Sequence, residues 1–177
     1  MEVNFHECVD LIVSPLIEGG YSDHKDDRGG KTNYGITERT LSKVLNRKAT
    51  ETDVRALTRC EAMDIYRSLY WGPALCDRWP AGLDLGVFDM AVNSGVTRAV
   101  KTLQLSARVK PDGVIGPKTL KATLSTPHRH LFNDFFANRM VFYALNSQFE
   151  TFGRGWSRRL MNIHDVAVQM RGDNGNI

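Results

Sequence analysis

Apolar residues near the start of the chain recur at the spacing of one face of an α-helix. The stripe consists of Val9, Ile12, Val13, Leu16 and Ile17. Two glycines follow at positions 19 and 20, and glycine readily adopts the left-handed backbone at which many helices end. The pattern therefore predicts a first helix over residues 3–17.

The helical spacing is lost between residues 21 and 36, where Asp, Gly, Lys, Thr and Asn predominate. Polar, glycine-containing stretches of this kind are typical of turns. We therefore predict a loop or a short β-hairpin in this stretch. Helical spacing resumes at Thr37.

The rest of the chain alternates helical apolar spacing with glycine and proline. Thr58 and Glu61 have the spacing of a capping box, which marks the start of a helix, and Gly72-Pro73 marks its end. Further helices are predicted over residues 83–93 and 97–107, from Pro117, from Pro127, and from Trp156 to about Met170. No other strand pattern is visible, so the predicted fold class is all-α with a small β-hairpin.

Composition excludes several classes of protein. A chain of 177 residues with 42% hydrophobic and 24% charged residues can form one globular domain with a core of its own. Cys8, Cys60 and Cys76 lie far apart without a CxxC pair, which argues against a disulfide framework and a zinc ribbon. His128 and His130 are poorly spaced to share a metal on a helix. We expect neither a metal nor a cofactor.

The beginning of the chain has the pattern of neither a membrane span nor a secretory leader. The apolar stretch over residues 9–17 contains Asp10 and Pro15 and is too short to cross a bilayer. Glu2 and Glu7 stand where a secretory signal would be basic. We expect a protein made in the cytoplasm without a signal peptide and without stable membrane insertion.

The candidate chemistry lies between residues 18 and 37. Glu18 sits at the last turn of the predicted first helix, where the negative end of the helix dipole and partial burial favour the protonated carboxyl of a general acid. Asp27 lies in a polar loop that favours its ionised form. Two carboxyl groups in contrasting surroundings are typical of glycoside hydrolysis. The Thr32 hydroxyl, which both donates and accepts hydrogen bonds, is a candidate to hold the attacking water.

Two other interpretations of this stretch were weighed. The acidic residues of a glycine-containing loop can simply be solvated, which is common. A calcium-binding EF-hand loop does not fit, because Lys25, Arg28 and Tyr34 occupy positions that need an oxygen ligand, a glycine and a glutamate.

The run Glu-Gly-Gly-Tyr followed by Asp-x-Gly-Gly-x-Thr-x-Tyr-Gly-Ile-Thr, residues 18–37, closely resembles glycoside hydrolase family 108. This family comprises lysozyme-like muramidases of phage endolysins and some bacterial secretion loci. Further blocks resemble it in the same order, at residues 61–71, 88–95, 112–120 and 155–160. The resemblance covers about residues 8–170 and implies a lysozyme-like helical fold that ends in a predicted peptidoglycan-binding region.

Carried over by position, the resemblance implies that Glu18 is the catalytic glutamate, with Asp27 and Thr32 completing the Glu–Asp–Thr trio of related lysozymes. Asp26 adjoins Asp27, so the assignment of the second carboxylate stays open between these two positions. Arg28 stands where relatives often have proline.

The candidate substrate-binding residues are Asn93, Tyr34 and Tyr70. The resemblance places the Asn93 segment along the cleft, where the side chain would bind a sugar N-acetyl group; the alternative is a helix C-cap before Gly95. Tyr34 and Tyr70 are candidates to stack on sugar rings, although core packing is the more common role of a helical pair such as Tyr66 and Tyr70.

The net charge of +3 is the sum of an acidic N-terminal half and a basic C-terminal half. Residues 1–96 hold 11 basic and 15 acidic residues, whereas residues 97–177 hold 12 and 5. The basic stretch 97–130 is either a solvated helix surface or a binding surface for an anionic polymer. We predict a lysozyme-like catalytic region over residues 1–95 and a helical peptidoglycan-binding region over residues 96–177, packed together as one compact unit.

The predicted function is a muramidase that cleaves the β-1,4 bond between N-acetylmuramic acid and N-acetylglucosamine. A non-catalytic wall-binding protein is the alternative, while a helical DNA-binding protein would leave residues 18–37 unexplained. The expected partners are peptidoglycan glycan strands, with no nucleic acid, and the expected state is a monomer. Without a signal peptide, the enzyme would reach the wall through a holin-type lesion or a dedicated route.

Overall fold

The computed structural model describes residues 2–14, 17 and 31–172, and it confirms the predicted all-α fold with a small hairpin. The helices are α1 (Glu2–Ile12), α2 (Glu38–Leu45), α3 (Glu51–Ala56), α4 (Arg59–Tyr66), α5 (Leu83–Ser94), α6 (Val96–Ser106), α7 (Pro117–Ser125), α8 (His128–Ala144) and α9 (Phe149–Met170). A π-helical turn spans Arg67–Trp71 and a 3₁₀ turn spans Cys76–Arg78. The strands are β1 (Thr32–Asn33) and β2 (Ile36–Thr37). None of the described helices is long and apolar enough to cross a membrane.

The chain divides into two compact units, the N-terminal unit (Glu2–Leu69) and the C-terminal unit (Tyr70–Ile177). The predicted division at residues 95 and 96 concerns catalytic and binding regions rather than compact units, and it stays a prediction.

The hairpin of the N-terminal unit is closed by two residues with left-handed backbone. Thr32 pairs with Thr37 and Asn33 with Ile36 in the antiparallel register. Tyr34 and Gly35 form the turn with φ angles of 52° and 72°. Positive φ at both central residues gives the twist that matches a two-residue hairpin.

Side-chain caps fix where the short helices of this unit begin. The capping box predicted at Thr58 and Glu61 is confirmed, since the Glu61 carboxylate accepts from the Thr58 backbone N–H at 2.8 Å. A second capping box joins Thr50 and Asp53 at the start of α3. Each box satisfies backbone N–H groups that a helix start otherwise leaves free.

Helix α5 forms the centre of the C-terminal unit and packs against α6, α8 and α9. Every residue from Leu83 to Ala91 is buried, which explains why this segment is apolar on all sides rather than along one stripe. Two of its buried residues, Asp84 and Asp89, are acidic. Burying a carboxylate is unfavourable unless it is paired and hydrogen-bonded.

The Asp89 carboxylate forms ion pairs with two arginines from neighbouring helices. Arg139 of α8 is fully buried and forms an ion pair with one carboxylate oxygen. Arg159 of α9 donates from Nε to the other oxygen at 2.9 Å. Burial alone would raise the pKa of Asp89, but the positive charges of Arg139 and Arg159 outweigh it and hold the pKa below 3.8. The ion pairs therefore tie α5, α8 and α9 together through one carboxylate.

Helix α1 ends earlier than predicted. It stops at Ile12 rather than continuing to Ile17, and the Ser14 hydroxyl donates to the carbonyl oxygen of Leu11 at 2.6 Å. Proline at position 15 explains the early end, because proline lacks an N–H donor and restricts the backbone of the residue before it.

Helix α9 begins earlier than predicted, at Phe149 instead of Trp156. The helix continues through Gly153 and Gly155, which precede the predicted start. Gly153 is buried, and an added Cβ there would meet the Phe149 ring at 2.8 Å. At this position the absence of a side chain is a packing requirement rather than a break in the helix.

Alanine substitutions at two separate glycines test how closely α9 packs against the start of α5. We expect Gly82→Ala to lower the free energy of unfolding by roughly 3 kcal/mol or more, because positive φ costs about 1–3 kcal/mol and overpacking a similar amount. Gly82 has φ +84°, and an added Cβ would collide with the carbonyl oxygen of Ala167. Gly95→Ala is the control, since Gly95 has φ +93° with open space around it. If urea denaturation gave the same loss of unfolding free energy for both variants, the close approach of Gly82 to Ala167 would be contradicted.

The Asp89 ion pairs give a second prediction. Asp89→Asn leaves two buried or half-buried guanidinium groups without their counter-charge, and we expect a loss of about 3–5 kcal/mol of unfolding free energy. The exposed Asp165 serves as the control position, where the same change should have little effect.

The stability that the Asp89 ion pairs contribute decreases as the pH falls. Because the folded-state pKa of Asp89 lies below 3.8, its stabilising contribution is present above pH 3.8 and is lost as the pH falls through the folded value. The Asp89→Asn variant should therefore show a shallower loss of stability in acid. An acid unfolding curve as steep as that of the wild type would contradict this role.

Candidate functional site

The hairpin that carries Thr32 is held against the helices of the N-terminal unit by its own polar groups. The Asn33 amide donates to the carbonyl oxygens of Val54 at 3.1 Å and Leu57 at 3.3 Å, where α3 ends. The buried Tyr66 hydroxyl donates to the carbonyl oxygen of Tyr34 at 2.8 Å. These bonds satisfy carbonyl groups at a helix end and in a turn, and they fix the position of the hairpin.

An ion pair reinforces the base of the hairpin. Lys31 pairs with Glu51, which also accepts from Arg55 Nη2 at 2.8 Å. Hydrogen bonds from Lys31 and Arg55 lower the pKa of Glu51 to about 2. Since the folded pKa lies below the ordinary value of 4.5, this contact is complete above pH 4.5 and weakens as the pH falls toward 2.

The predicted trio is only partly within the described chain. Thr32 lies half-buried in β1, and Tyr34 lies half-buried in the turn beside it, so the hairpin brings these two predicted residues together. Glu18, Asp27 and the neighbouring Asp26 lie outside the described residues. The catalytic roles of Glu18, Asp27 and Thr32 stay predictions.

Asn93 lies at the rim of a cavity of about 160 Å³ in the C-terminal unit. We call this cavity the Asn93 pocket; it is lined by Asn93, Ser94, Arg98, Phe142, Tyr143, Asn146 and Trp156. The alternative interpretation of Asn93 as a helix C-cap is wrong, because Gly95 occupies that position and donates to the carbonyl oxygen of Ala91 at 2.9 Å.

Hydrogen bonds link the Asn93 side chain to the Asp89 ion pairs. Arg139 donates from Nε to the Tyr143 hydroxyl at 3.0 Å and from Nη2 at 2.8 Å. The hydroxyl of Tyr143 in turn bonds to Oδ1 of Asn93 at 3.0 Å. A surface amide is thereby connected through one tyrosine to the buried charges of the core.

The aromatic candidates have different surroundings. Tyr66 is fully buried, which confirms core packing as its role. Tyr70 is half-buried in the π-helical turn and does not line the Asn93 pocket. Trp156 lines the pocket, with its ring centroid 5.5 Å from that of Tyr143.

Sequence reasoning missed Arg98, Asn146 and Trp156 as components of one pocket. Arg98 was noted only as part of the basic stretch, and no spacing relates it to positions about 50 residues away. Among the residues the structure describes, no group of three His, Cys, Asp or Glu side chains is placed to hold a metal ion.

Comparison with known proteins extends these observations to the whole chain. A family model described as Glycosyl hydrolase 108 matches residues 15–95, and one described as Predicted Peptidoglycan domain matches residues 98–161. Twelve chains of known structure match. One of them, from the "Structure of Brucella abortus SagA", is 39% identical, covers 99% of this chain and 100% of its own, and has a TM-score of 0.90. No curated protein matches.

The family resemblance and the predicted lysozyme-like helical fold are thus confirmed. The match over nearly the full length places the hydrolase region first and the peptidoglycan domain after it. The chain belongs to the glycosyl hydrolase 108 family and is a lysozyme-like glycosidase that acts on peptidoglycan.

Proposed function

We propose that this protein is an N-acetylmuramidase that cleaves the β-1,4 bond between N-acetylmuramic acid and N-acetylglucosamine. The observation that carries the proposal is the motif at residues 18–37, which falls within the region matched by the hydrolase family model. In the proposed reaction Glu18 is the general acid and protonates the glycosidic oxygen of the leaving sugar.

Asp27 and Thr32 are proposed to position or activate the water that attacks the anomeric carbon. The described geometry supports Thr32 in this role, because the residue that follows it, Asn33, is bonded to the end of α3. A hydroxyl on a strand held in this way has little freedom to move away from a bound water. The spacing of the two carboxyl groups decides whether the anomeric configuration is retained or inverted.

Substrate contacts are proposed for Tyr34, Tyr70 and Asn93. Tyr34 and Tyr70 are half-buried, and a tyrosine ring can stack on the apolar face of a sugar. Asn93 lines its pocket with an amide group that can donate to an acceptor oxygen of the substrate, such as the carbonyl oxygen of an N-acetyl group. The catalytic region would comprise residues 1–95 and the peptidoglycan-binding region residues 96–177.

The biological setting is also a proposal. We propose that the enzyme is a monomer and reaches the wall through a holin-type lesion or a dedicated route. Wall lysis by a phage endolysin and wall remodelling by a bacterial enzyme both require the same bond cleavage.

Amide variants of the three candidate carboxylates test the mechanism. Glu18→Gln removes the proton donor and should slow release of soluble muropeptides from purified sacculi by at least about 100-fold. Asp27→Asn should also slow it strongly, whereas the neighbouring Asp26→Asn is the matched control and should stay near the wild-type rate.

The outcomes of that assay separate the competing hypotheses. Release by Glu18→Gln at the wild-type rate would contradict the mechanism. A strong effect of Asp26→Asn without one of Asp27→Asn would move the second carboxylate by one position. A wild-type protein that sediments with sacculi but releases nothing would be a non-catalytic wall-binding protein.

Two substitutions separate the hydroxyl of Thr32 from its place in the strand. Thr32→Ser keeps the hydroxyl and should retain most activity. Thr32→Val keeps the shape and strand preference, but loses a hydrogen bond of about 1–1.5 kcal/mol to the attacking water and should lower kcat about tenfold. The thermal melting of both variants should match the wild type, and a Thr32→Val enzyme with wild-type kcat would exclude the role.

A further inference from the structure

The Asn93 pocket has a polarity that the family assignment does not explain. Several of the side chains that line it carry N–H donors without an acceptor among the described residues. These side chains are Asn93, Arg98, Asn146 and Trp156. The chemistry of these donors defines the group that the pocket is suited to bind.

The buried ion pairs determine which way the Asn93 amide faces. An arginine guanidinium can only donate hydrogen bonds, so the two bonds from Arg139 occupy the lone pairs of the Tyr143 hydroxyl. The single hydroxyl proton of Tyr143 is therefore donated to Oδ1 of Asn93, which also accepts from the Ser94 hydroxyl at 3.1 Å. Because Oδ1 is engaged twice, Asn93 offers its NH₂ group to a ligand.

Asn146 and Trp156 add donors of the same kind. Oδ1 of Asn146 accepts from the backbone N–H of Gln148 at 2.9 Å, which leaves the Asn146 NH₂ group available. The indole N–H of Trp156 has no acceptor within the part of the chain that is described, and indole nitrogen is a donor only.

Arg98 supplies the positive charge. One of its guanidinium nitrogens donates to the carbonyl oxygen of Ser94 at 3.0 Å, and its guanidinium carbon lies 5.8 Å from the centroid of the Phe142 ring. No carboxylate of residues 2–14, 17 or 31–172 lies within 4.0 Å of this guanidinium. A backbone hydrogen bond and an aromatic ring hold the charge at the pocket, and no carboxylate of the described residues is close enough to pair with it.

The aromatic side of the pocket is rigid. The Trp156 ring is packed between Tyr143, at 5.5 Å between centroids, and Phe152, at 6.0 Å. A cavity of about 160 Å³ has room for a small acidic group and a few adjoining atoms.

We propose that the Asn93 pocket binds a carboxylate of peptidoglycan, with Arg98 pairing with the carboxylate and the amide groups of Asn93 and Asn146 donating to its oxygens. Charge-assisted hydrogen bonds to a carboxylate are the strongest contacts that such donors can make. The proposal rests on the proposed action on peptidoglycan. It gives the enzyme a point of recognition for the acidic substituents of the glycan strand.

Two carboxylates in peptidoglycan have this chemistry: the lactyl group of a muramic acid that has lost its peptide, and the acidic groups of the stem peptide. Calorimetric titration of the full chain with N-acetylmuramic acid and with an L-alanyl-γ-D-glutamyl-diaminopimelate tripeptide distinguishes them. The methyl ester of N-acetylmuramic acid and N-acetylglucosamine are the uncharged controls. At least one acid should bind, and both uncharged sugars should bind at least tenfold more weakly.

Variants then tie the binding to the pocket. Arg98→Met should weaken binding of the acid tenfold or more, while Lys48→Met, which removes an exposed charge between α2 and α3, should leave its affinity unchanged. Asn93→Asp keeps the size of the side chain and the oxygen that accepts from Tyr143, but replaces the donor with a negative charge. This variant should weaken binding of the acid as much as Arg98→Met does, with little change in the thermal melting temperature.

The proposal is overturned if neither acid binds, if N-acetylglucosamine binds as tightly as the acids, or if Arg98→Met and Asn93→Asp bind with wild-type affinity. Failure of the proposed muramidase mechanism would be seen in a different assay, as release of muropeptides by the Glu18→Gln variant at the wild-type rate. Since the titrations need no turnover, the two failures are distinguishable.

Discussion

The carboxylate of Asp89, paired with two arginines, is the interaction on which the C-terminal unit depends. It lies within the helix that is buried on all sides, and its partners come from the two longest helices, α8 and α9. A buried charge of this kind is unfavourable unless every partner is in place, so the three helices have one arrangement that satisfies it. The same pairing directs Arg139 toward Tyr143, and through Tyr143 it sets the orientation of Asn93 at the surface. Core electrostatics thereby determine the chemistry of a surface pocket.

The N-terminal unit holds its candidate residue by hydrogen bonds rather than by a buried charge. Its hairpin has only two residues in each strand, which is too little to be stable alone. Asn33 and Tyr66 supply the missing stability by bonding backbone carbonyls of α3 and the turn, and Lys31 adds an ion pair to Glu51. In both units a candidate side chain stands next to groups that are fully engaged with the fold. That arrangement suits a glycosidase, whose catalytic groups must keep their positions while a polymer binds and leaves.

Local rules were sufficient wherever a feature depended on neighbours in sequence. The capping box at Thr58, the hairpin and the helical class followed from spacings of a few residues. The predicted end of α1 was wrong because Pro15 was weighed less than the apolar stripe, and the start of α9 was wrong because Gly153 serves packing against Phe149. The Asn93 pocket could not be predicted, since it joins residues of α5, α6, α8 and α9 through tertiary packing. Glu18 and Asp27 depended on a motif whose meaning comes from resemblance to a family.

The central claim is that the enzyme hydrolyses the bond on the reducing side of N-acetylmuramic acid. The most direct test is to digest purified sacculi, reduce the products with borohydride and identify the new chain ends by mass spectrometry. Cleavage by a muramidase predicts muramitol as the new reduced end. Glucosaminitol at the new ends, or a 1,6-anhydromuramic end that borohydride cannot reduce, would contradict the account by showing that another bond is cleaved or that no water is added.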